Sequence, residues 1–253
     1  MAGAGSARRV AGAATGTAVA VLGAALVGCA GSQVDQRPVI RIVEAAQPLA
    51  AMPLGDFLPT MPELAAQLGT GPDGFLGQPV EGGAEMLLRN VDAAAAAPAE
   101  CVSTAYRLQK VVYQVGPVRS VASGSWAGGG FEGPPVSGFF GIVQMASAAE
   151  AQTFFATMSD NWRRCNGRTV ALQPGPGAEE LTRIADVALD ARLVSANVLH
   201  ASGGGAAVDV SRAIGLAGDC IVDVEITDPR ASGEAAPAVR VAGLMLDKIA
   251  AGR

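Results

Sequence analysis

The segment Ser147–Cys165 is the most constraining feature of this 253-residue chain, because it predicts a long amphipathic helix. Ser147 suits the N-cap position, and Glu150 follows three residues later, which is the spacing of a capping box. Apolar residues recur every three or four positions, as on the buried side of a helix: Ala148, Ala151, Phe155, Met158, Trp162 and Cys165. The following Asn166-Gly167 suits a helix end. Cys165 is therefore expected at the inner end of a core helix.

The rest of the chain alternates helical and strand patterns. Further helices are predicted near residues 60–69, from Pro98 through Cys101 to Val112, and over Pro237–Ala251. Strands are predicted at 118–126, 136–145, 168–172, 184–189, 193–201, 206–216 and 220–227. Short connections between consecutive strands imply antiparallel pairing. The predicted fold class is α+β, a single domain with a mainly antiparallel sheet and helices packed beside it, mainly on one face.

The N-terminal residues predict a bacterial lipoprotein signal. Arg8 and Arg9 precede an uncharged Ala/Val/Gly-rich run. Residues 26–29, Leu-Val-Gly-Cys, match the lipobox, in which the thiol of Cys29 receives the diacylglyceryl group. A membrane-spanning anchor over residues 10–28 is the alternative. The general secretory and twin-arginine export routes both stay open.

This signal sets the expected domain organisation and location. Residues 1–28 are interpreted as the signal peptide, 29–53 as the lipidated N-terminus and linker, and 54–253 as the globular domain. Two acyl chains hold a protein stably on a membrane, whereas one does so only marginally. The protein is therefore expected at the cell membrane, lipid-anchored on its extracytoplasmic face.

Charge and motif content exclude several function classes. The formal net charge is −5, and the two lysines are Lys110 and Lys248, so neither nucleic acid nor an anionic membrane is expected to bind through a basic patch. The single histidine, His200, cannot build a histidine-rich zinc site, and no Cys-x-x-Cys pair is present. Neither a nucleophile elbow nor a phosphate-binding loop occurs. We therefore predict no metal, no cofactor and no catalytic residue, and rank a hydrolase with an unrecognised site last.

The cysteines predict one disulfide. With Cys29 consumed by lipidation, three cysteines remain in an oxidising compartment. Cys101 and Cys165 each lie on the apolar side of a predicted helix, which favours a bond between them. Cys220 shares one side of its strand with inward-facing valines and is interpreted as a buried free thiol. A redox-active or intermolecular Cys220 is the alternative.

Aromatic residues gather around the glycine-rich segment 127–135. Trp126, Phe131, Phe139 and Phe140 lie within or beside it. Core packing is one interpretation, and lining of the mouth of a ligand cleft is the other. On the second interpretation, Trp126 and Phe131 are the predicted ligand contacts.

Several short stretches together resemble the PknH-like extracellular sensor domain of mycobacterial lipoproteins and receptor kinases. The resemblance covers about residues 54–251 and rests on Pro98-Ala-Glu-Cys101, Ser147-Ala-Ala-Glu150-Ala, Trp162-Arg-Arg-Cys165-Asn-Gly167, Val208–Ala213 and Cys220-Ile-Val-Asp223-Val224. It implies an α+β domain with a twisted antiparallel sheet, a cleft for an unidentified ligand and no catalysis. Members usually have a second disulfide, whose cysteine positions are empty here except for Cys220.

Together these features predict a membrane-anchored extracytoplasmic lipoprotein whose sensor-like domain binds an unidentified envelope ligand, a small molecule, lipid or glycan. The alternative is an envelope protein that contacts or scaffolds other proteins without a small-molecule ligand. The first function requires an enclosed apolar pocket, whereas the second requires an exposed apolar patch and no pocket.

Overall fold

The computed structural model describes residues 53–71, 74–129, 135–175, 178–203, 205–230 and 236–253. The helices in these ranges are α1 (Met61–Leu68), α2 (Val102–Ala105), α3 (Lys110–Tyr113), α4 (Ala148–Cys165) and α5 (Ala236–Gly252). The strands are β1 (Gly74–Leu76), β2 (Val80–Gly82), β3 (Ala96–Ala97), β4 (Val118–Gly128), β5 (Val136–Met145), β6 (Thr169–Gly175), β7 (Ala178–Asp190), β8 (Leu193–Ser202), β9 (Val208–Ala217) and β10 (Cys220–Thr227). Short 3-10 turns cover Leu54–Phe57, Ala84–Met86, Ala93–Ala95 and Ala99–Cys101.

The strands form one sheet in the order β1-β4-β5-β10-β9-β8-β7-β6-β3, with β2 also paired to β4. All of these ladders are antiparallel. Strands β6 to β10 follow one another in both chain and sheet, as short connections favour. The last strand, β10, pairs with β5 and thereby joins this meander to the β4–β5 hairpin. The α+β fold with a mainly antiparallel sheet is confirmed.

Helices cover both faces of the sheet, so the expectation of helices mainly on one face is wrong. Successive residues of β10 point to opposite faces: Ile221 packs beneath α2 and α4, whereas Val222 and Val224 pack beneath α1 and α5. We call the first side the disulfide face and the second the α5 face. Two separate apolar cores result, one on each side of the sheet.

Helix α4 lies where the sequence predicts it. The Ser147 hydroxyl accepts the N–H of Glu150 at 3.2 Å, which is one of the two bonds of a capping box. The apolar side of the helix is buried on the disulfide face, except that Ala148 in the first turn is exposed. After α4, the chain turns through Gly167, whose φ of +77° is a left-handed conformation that glycine adopts without strain. Cys165 thus lies at the buried end of this helix.

The helix predicted from Pro98 to Val112 is interrupted, and this expectation is wrong. Helix α2 ends at Ala105, Tyr106 is extended, and Leu108 has a left-handed φ of +48°. The N–H of Leu108 donates instead to the buried carboxylate of Asp223, at 2.8 Å. A hydrogen bond to a charged group contributes about 1.5–3 kcal/mol, which outweighs the small propensity terms favouring a continuous helix. The structure around Leu108 is therefore decided by a contact with a residue 115 positions later in the chain.

Candidate ligand-binding site

A buried ion pair lies at the centre of the disulfide face. Arg212 on β9 is directly opposite Glu225 on β10, and Asp223 lies two residues before Glu225 on the same side. Arg212 is fully buried, and its Nη2 donates to Asp223 Oδ1 at 2.8 Å. Its Nη1 lies 3.5 Å from Glu225 Oε2. Buried charges persist when they are paired and hydrogen-bonded, as these are.

Asp223 also binds the segment that follows α2. Besides Arg212, its carboxylate accepts the N–H of Leu108 at 2.8 Å and the hydroxyl of Tyr113 at 2.9 Å. Burial, together with this neighbouring carboxylate, raises the pKa of Tyr113 well above its usual value, so the phenol stays protonated and donates. The carboxylate therefore fixes residues 106–113 against the sheet.

Arg107 extends the ion network to the protein surface. Its guanidinium pairs with Glu225, which is thus shared between two arginines. The same guanidinium lies over the ring of Phe139, 3.7 Å from the ring centroid. This is a cation–π geometry, and it holds the arginine in place from a second direction. Because Leu108 is fixed by Asp223, its neighbour Arg107 is fixed as well.

A pocket of about 270 Å³ lies beside Arg107. Strand β4 supplies Ser123 and Ser125, which point to the same side of the sheet because they are two residues apart. The neighbouring strand β5 supplies Phe139, which is 39% exposed to solvent. The remaining side chains of the lining are Gln78, Val80, Leu88 and Leu108. The pocket therefore combines one aromatic ring, three aliphatic side chains and a few polar groups, as ligand pockets commonly do.

A second polar cluster occupies the same face on β7 and β8. Thr182 Oγ1 lies 3.0 Å from both the Tyr106 hydroxyl and His200 Nδ1, and Glu180 is 3.5 Å from that histidine nitrogen. Burial lowers the pKa of His200 despite the opposing effect of Glu225 and Glu180. Burial also raises the pKa of Tyr106 to about 12. At neutral pH this cluster thus contains an uncharged imidazole and a protonated phenol.

Two other pockets of about 360 Å³ are present. One lies between α5 and the β7–β8 hairpin and is mostly apolar. The other, near Arg89 and Lys110, is shallower. Neither is lined by residues of the Arg212–Glu225 network. Across the described parts of the chain, no group of three or more His, Cys, Asp or Glu residues could hold a metal ion.

The residues predicted from sequence fall into three groups. Cys101 and Cys165 form the predicted disulfide, with their Cα atoms 5.6 Å apart, and Cys220 is a buried free thiol. Trp126 is 3% exposed in the core of the α5 face, so it points away from the pocket that Ser125 lines. That Trp126 contacts a ligand remains a prediction. Cys29 and Phe131 lie outside the described residues.

The residues that sequence reasoning missed are Arg107, Arg212 and Glu225. Alternation along the predicted strand 220–227 puts Asp223 and Glu225 on the side opposite Val222 and Val224. The short connection between β9 and β10 could have placed Arg212 opposite Glu225. The polar residues of β9 and β10 themselves do not indicate that a second layer of helices buries this side as well.

A family model and one solved structure agree with this fold. The family model described as the PknH-like extracellular domain matches residues 49–248. The crystal structure of the extracellular domain of PknH from Mycobacterium tuberculosis matches with a TM-score of 0.64 at 20% identity, covering 80% of this chain and 97% of that chain. A putative uncharacterized protein from Mycobacterium smegmatis has a TM-score of 0.39 at 14% identity, covering 76% and 96%. No curated protein matches the chain significantly. Within the described ranges, no helix is long and apolar enough to cross a membrane.

The family model covers residues 49–248, which is most of the sequence. The chain therefore belongs to the family of PknH-like extracellular domains.

Proposed function

We propose that this chain is a non-catalytic extracytoplasmic binding domain, tethered to the membrane by a lipid on Cys29, that takes a small ligand in the pocket beside Arg107. The observation that carries the proposal is the pocket's link to the buried ion network. Asp223 fixes Leu108, Glu225 pairs with Arg107, and both Leu108 and Arg107 line the pocket. A binding site whose side chains are held in advance loses less entropy when the ligand arrives.

Two further features support this reading. The disulfide ties the 3-10 turn before α2 to the end of α4, and both elements pack on the face that contains the pocket. The family's description as an extracellular domain agrees with export through the predicted signal peptide. An oxidising compartment outside the cytoplasm would also maintain the Cys101–Cys165 bond.

Native mass spectrometry of the purified chain, after incubation with an envelope extract, tests the ligand. We expect a discrete added mass that survives mild activation. Ser123→Leu should abolish it, because the larger side chain enters the pocket. Phe75→Ala should not, because Phe75 is 73% exposed on β1 and does not line the pocket. A bare mass in repeated preparations would contradict ligand binding and favour the alternative, an envelope protein that contacts other proteins.

A further inference from the structure

The charges around the pocket are already balanced. Among the described residues, Arg107 is the one charged residue in the pocket lining, and it is paired with Glu225. Arg212 is paired with Asp223, so two guanidinium groups face two carboxylates. An anionic ligand would have to compete with Glu225 for Arg107, whereas a cationic ligand would meet the guanidinium. The binding free energy of either charged ligand would therefore be less favourable than that of an uncharged ligand.

The uncharged polar groups of the pocket are available to a ligand. Within the described residues, the Ser123 and Ser125 hydroxyls and the Gln78 amide have no hydrogen-bond partner in the protein. A hydroxyl both donates and accepts, and an amide side chain does the same through its two ends. These groups therefore match a ligand that itself has several hydroxyl groups.

The apolar side of the pocket sets the shape of that ligand. Arg107 covers one face of the Phe139 ring, but the residue is still 39% exposed. Leu88, Leu108 and Val80 provide aliphatic surface. The ligand therefore needs one face made of C–H groups. The pocket volume of about 270 Å³ lies near the lower end of the range of roughly 300–1,000 Å³ for small-molecule pockets, which suits one pyranose or furanose ring with its hydroxyls.

From these three constraints we infer that the pocket binds one uncharged sugar unit of an envelope glycan, with the C–H face of the ring on Phe139 and its hydroxyls on Ser123, Ser125 and Gln78. This inference rests on the proposed function and narrows its ligand class. Arg107 holds the aromatic ring, and Glu225 compensates its charge. A sugar unit at the end of a glycan chain enters such a pocket while the rest of the chain stays outside.

Saturation-transfer NMR on the purified full chain tests the inference. The probes are methyl glycosides of neutral hexoses and pentoses, together with a matching uronic acid and glucosamine. We expect saturation transfer to at least one neutral glycoside and weaker transfer to both charged analogues. Phe139→Ala should weaken binding about fivefold, the scale of one lost aromatic contact. Ser123→Leu should abolish binding, and the matched control Phe75→Ala should leave it unchanged.

The outcomes separate this inference from the function on which it rests. If only a charged analogue binds, and Ser123→Leu abolishes that binding, the pocket remains a ligand site but the neutral-sugar inference fails. The inference also fails if Ser123→Leu abolishes the binding of none of the glycoside probes. The proposed function still stands in that case if native mass spectrometry detects a ligand from the envelope extract. If neither experiment detects binding, both fail. Neutral-sugar binding that survives Phe139→Ala and Ser123→Leu alike would overturn the assigned site.

Discussion

Replacing Asp223 by asparagine should destabilise the domain strongly, because this buried carboxylate accepts three hydrogen bonds. The residue is 2% exposed, and its partners are Arg212, the N–H of Leu108 and the hydroxyl of Tyr113. Asparagine has nearly the same volume, so the substitution changes charge and hydrogen bonding rather than packing. Its NH₂ group must face at least one of these donors, and Arg212 keeps only Glu225 as a counter-ion, 3.5 Å away.

The expected magnitude follows from this geometry. Removing one partner of a buried ion pair costs about 3–5 kcal/mol. Because Glu225 still compensates Arg212 in part, we expect a loss near the lower end, about 3 kcal/mol. At about 2–4 °C per kcal/mol for a domain of this size, the melting temperature should fall by roughly 6–12 °C.

Urea unfolding of the disulfide-intact chain measures the effect, with Asp209→Asn as the matched control. Asp209 lies on β9 and is exposed, so its substitution should change the free energy of unfolding by less than about 0.5 kcal/mol. The double variant Asp223→Asn with Arg212→Gln removes both charges and keeps an amide oxygen for the Leu108 N–H and the Tyr113 hydroxyl, so it should be more stable than Asp223→Asn alone. A loss below about 1 kcal/mol in Asp223→Asn, or a double variant less stable than the single one, would refute the reasoning.

Three further predictions concern the cysteines and the histidine. Replacing Cys101 and Cys165 together by serine should lower the free energy of unfolding by about 4 kcal/mol, because the bond spans a sequence separation of 64; a urea titration showing a loss under about 1 kcal/mol would contradict this. Cys29→Ala should abolish incorporation of labelled palmitate, and continued labelling would rule out the anchor at that residue. Burial lowers the pKa of His200, so below about pH 6.5 the unfolded chain takes up a proton that the folded chain does not, and stability should fall as the pH drops. His200→Gln should flatten this part of the stability–pH curve. An unchanged slope would show that other titratable groups cause the loss of stability at low pH.

The elements that sequence reasoning found are those with local, periodic signals. Helix α4 has a cap, an apolar side and a glycine after its end, all within about twenty residues of one another. The Cys101–Cys165 bond followed from placing both cysteines on apolar sides of helical segments, although α2 is much shorter than expected. The family resemblance was confirmed over most of the chain.

What sequence reasoning missed depends on contacts between distant residues. The helix after Pro98 stops because Asp223 takes the N–H of Leu108. Neighbouring residues in a strand point to opposite faces, so Phe140 enters the α5 core whereas Phe139 reaches the pocket. Two adjacent phenylalanines give no local reason to choose between these roles. The second helical layer could have been suspected, because β8 has apolar residues on both sides, such as Leu193 and Val194.

The short strands at the margins of the sheet limit how a partner protein could attach. An unpaired strand edge is a template for another chain, and long exposed edges invite aggregation. Here the outer edge of β4 is paired at one end by β1 and near its middle by β2, each three residues long. The outer edge of β6 is paired at Ala171 and Leu172 by the two-residue β3. Strand addition by another molecule therefore has little continuous backbone to extend, and any protein that recognises this domain is expected to contact side chains on its surface instead.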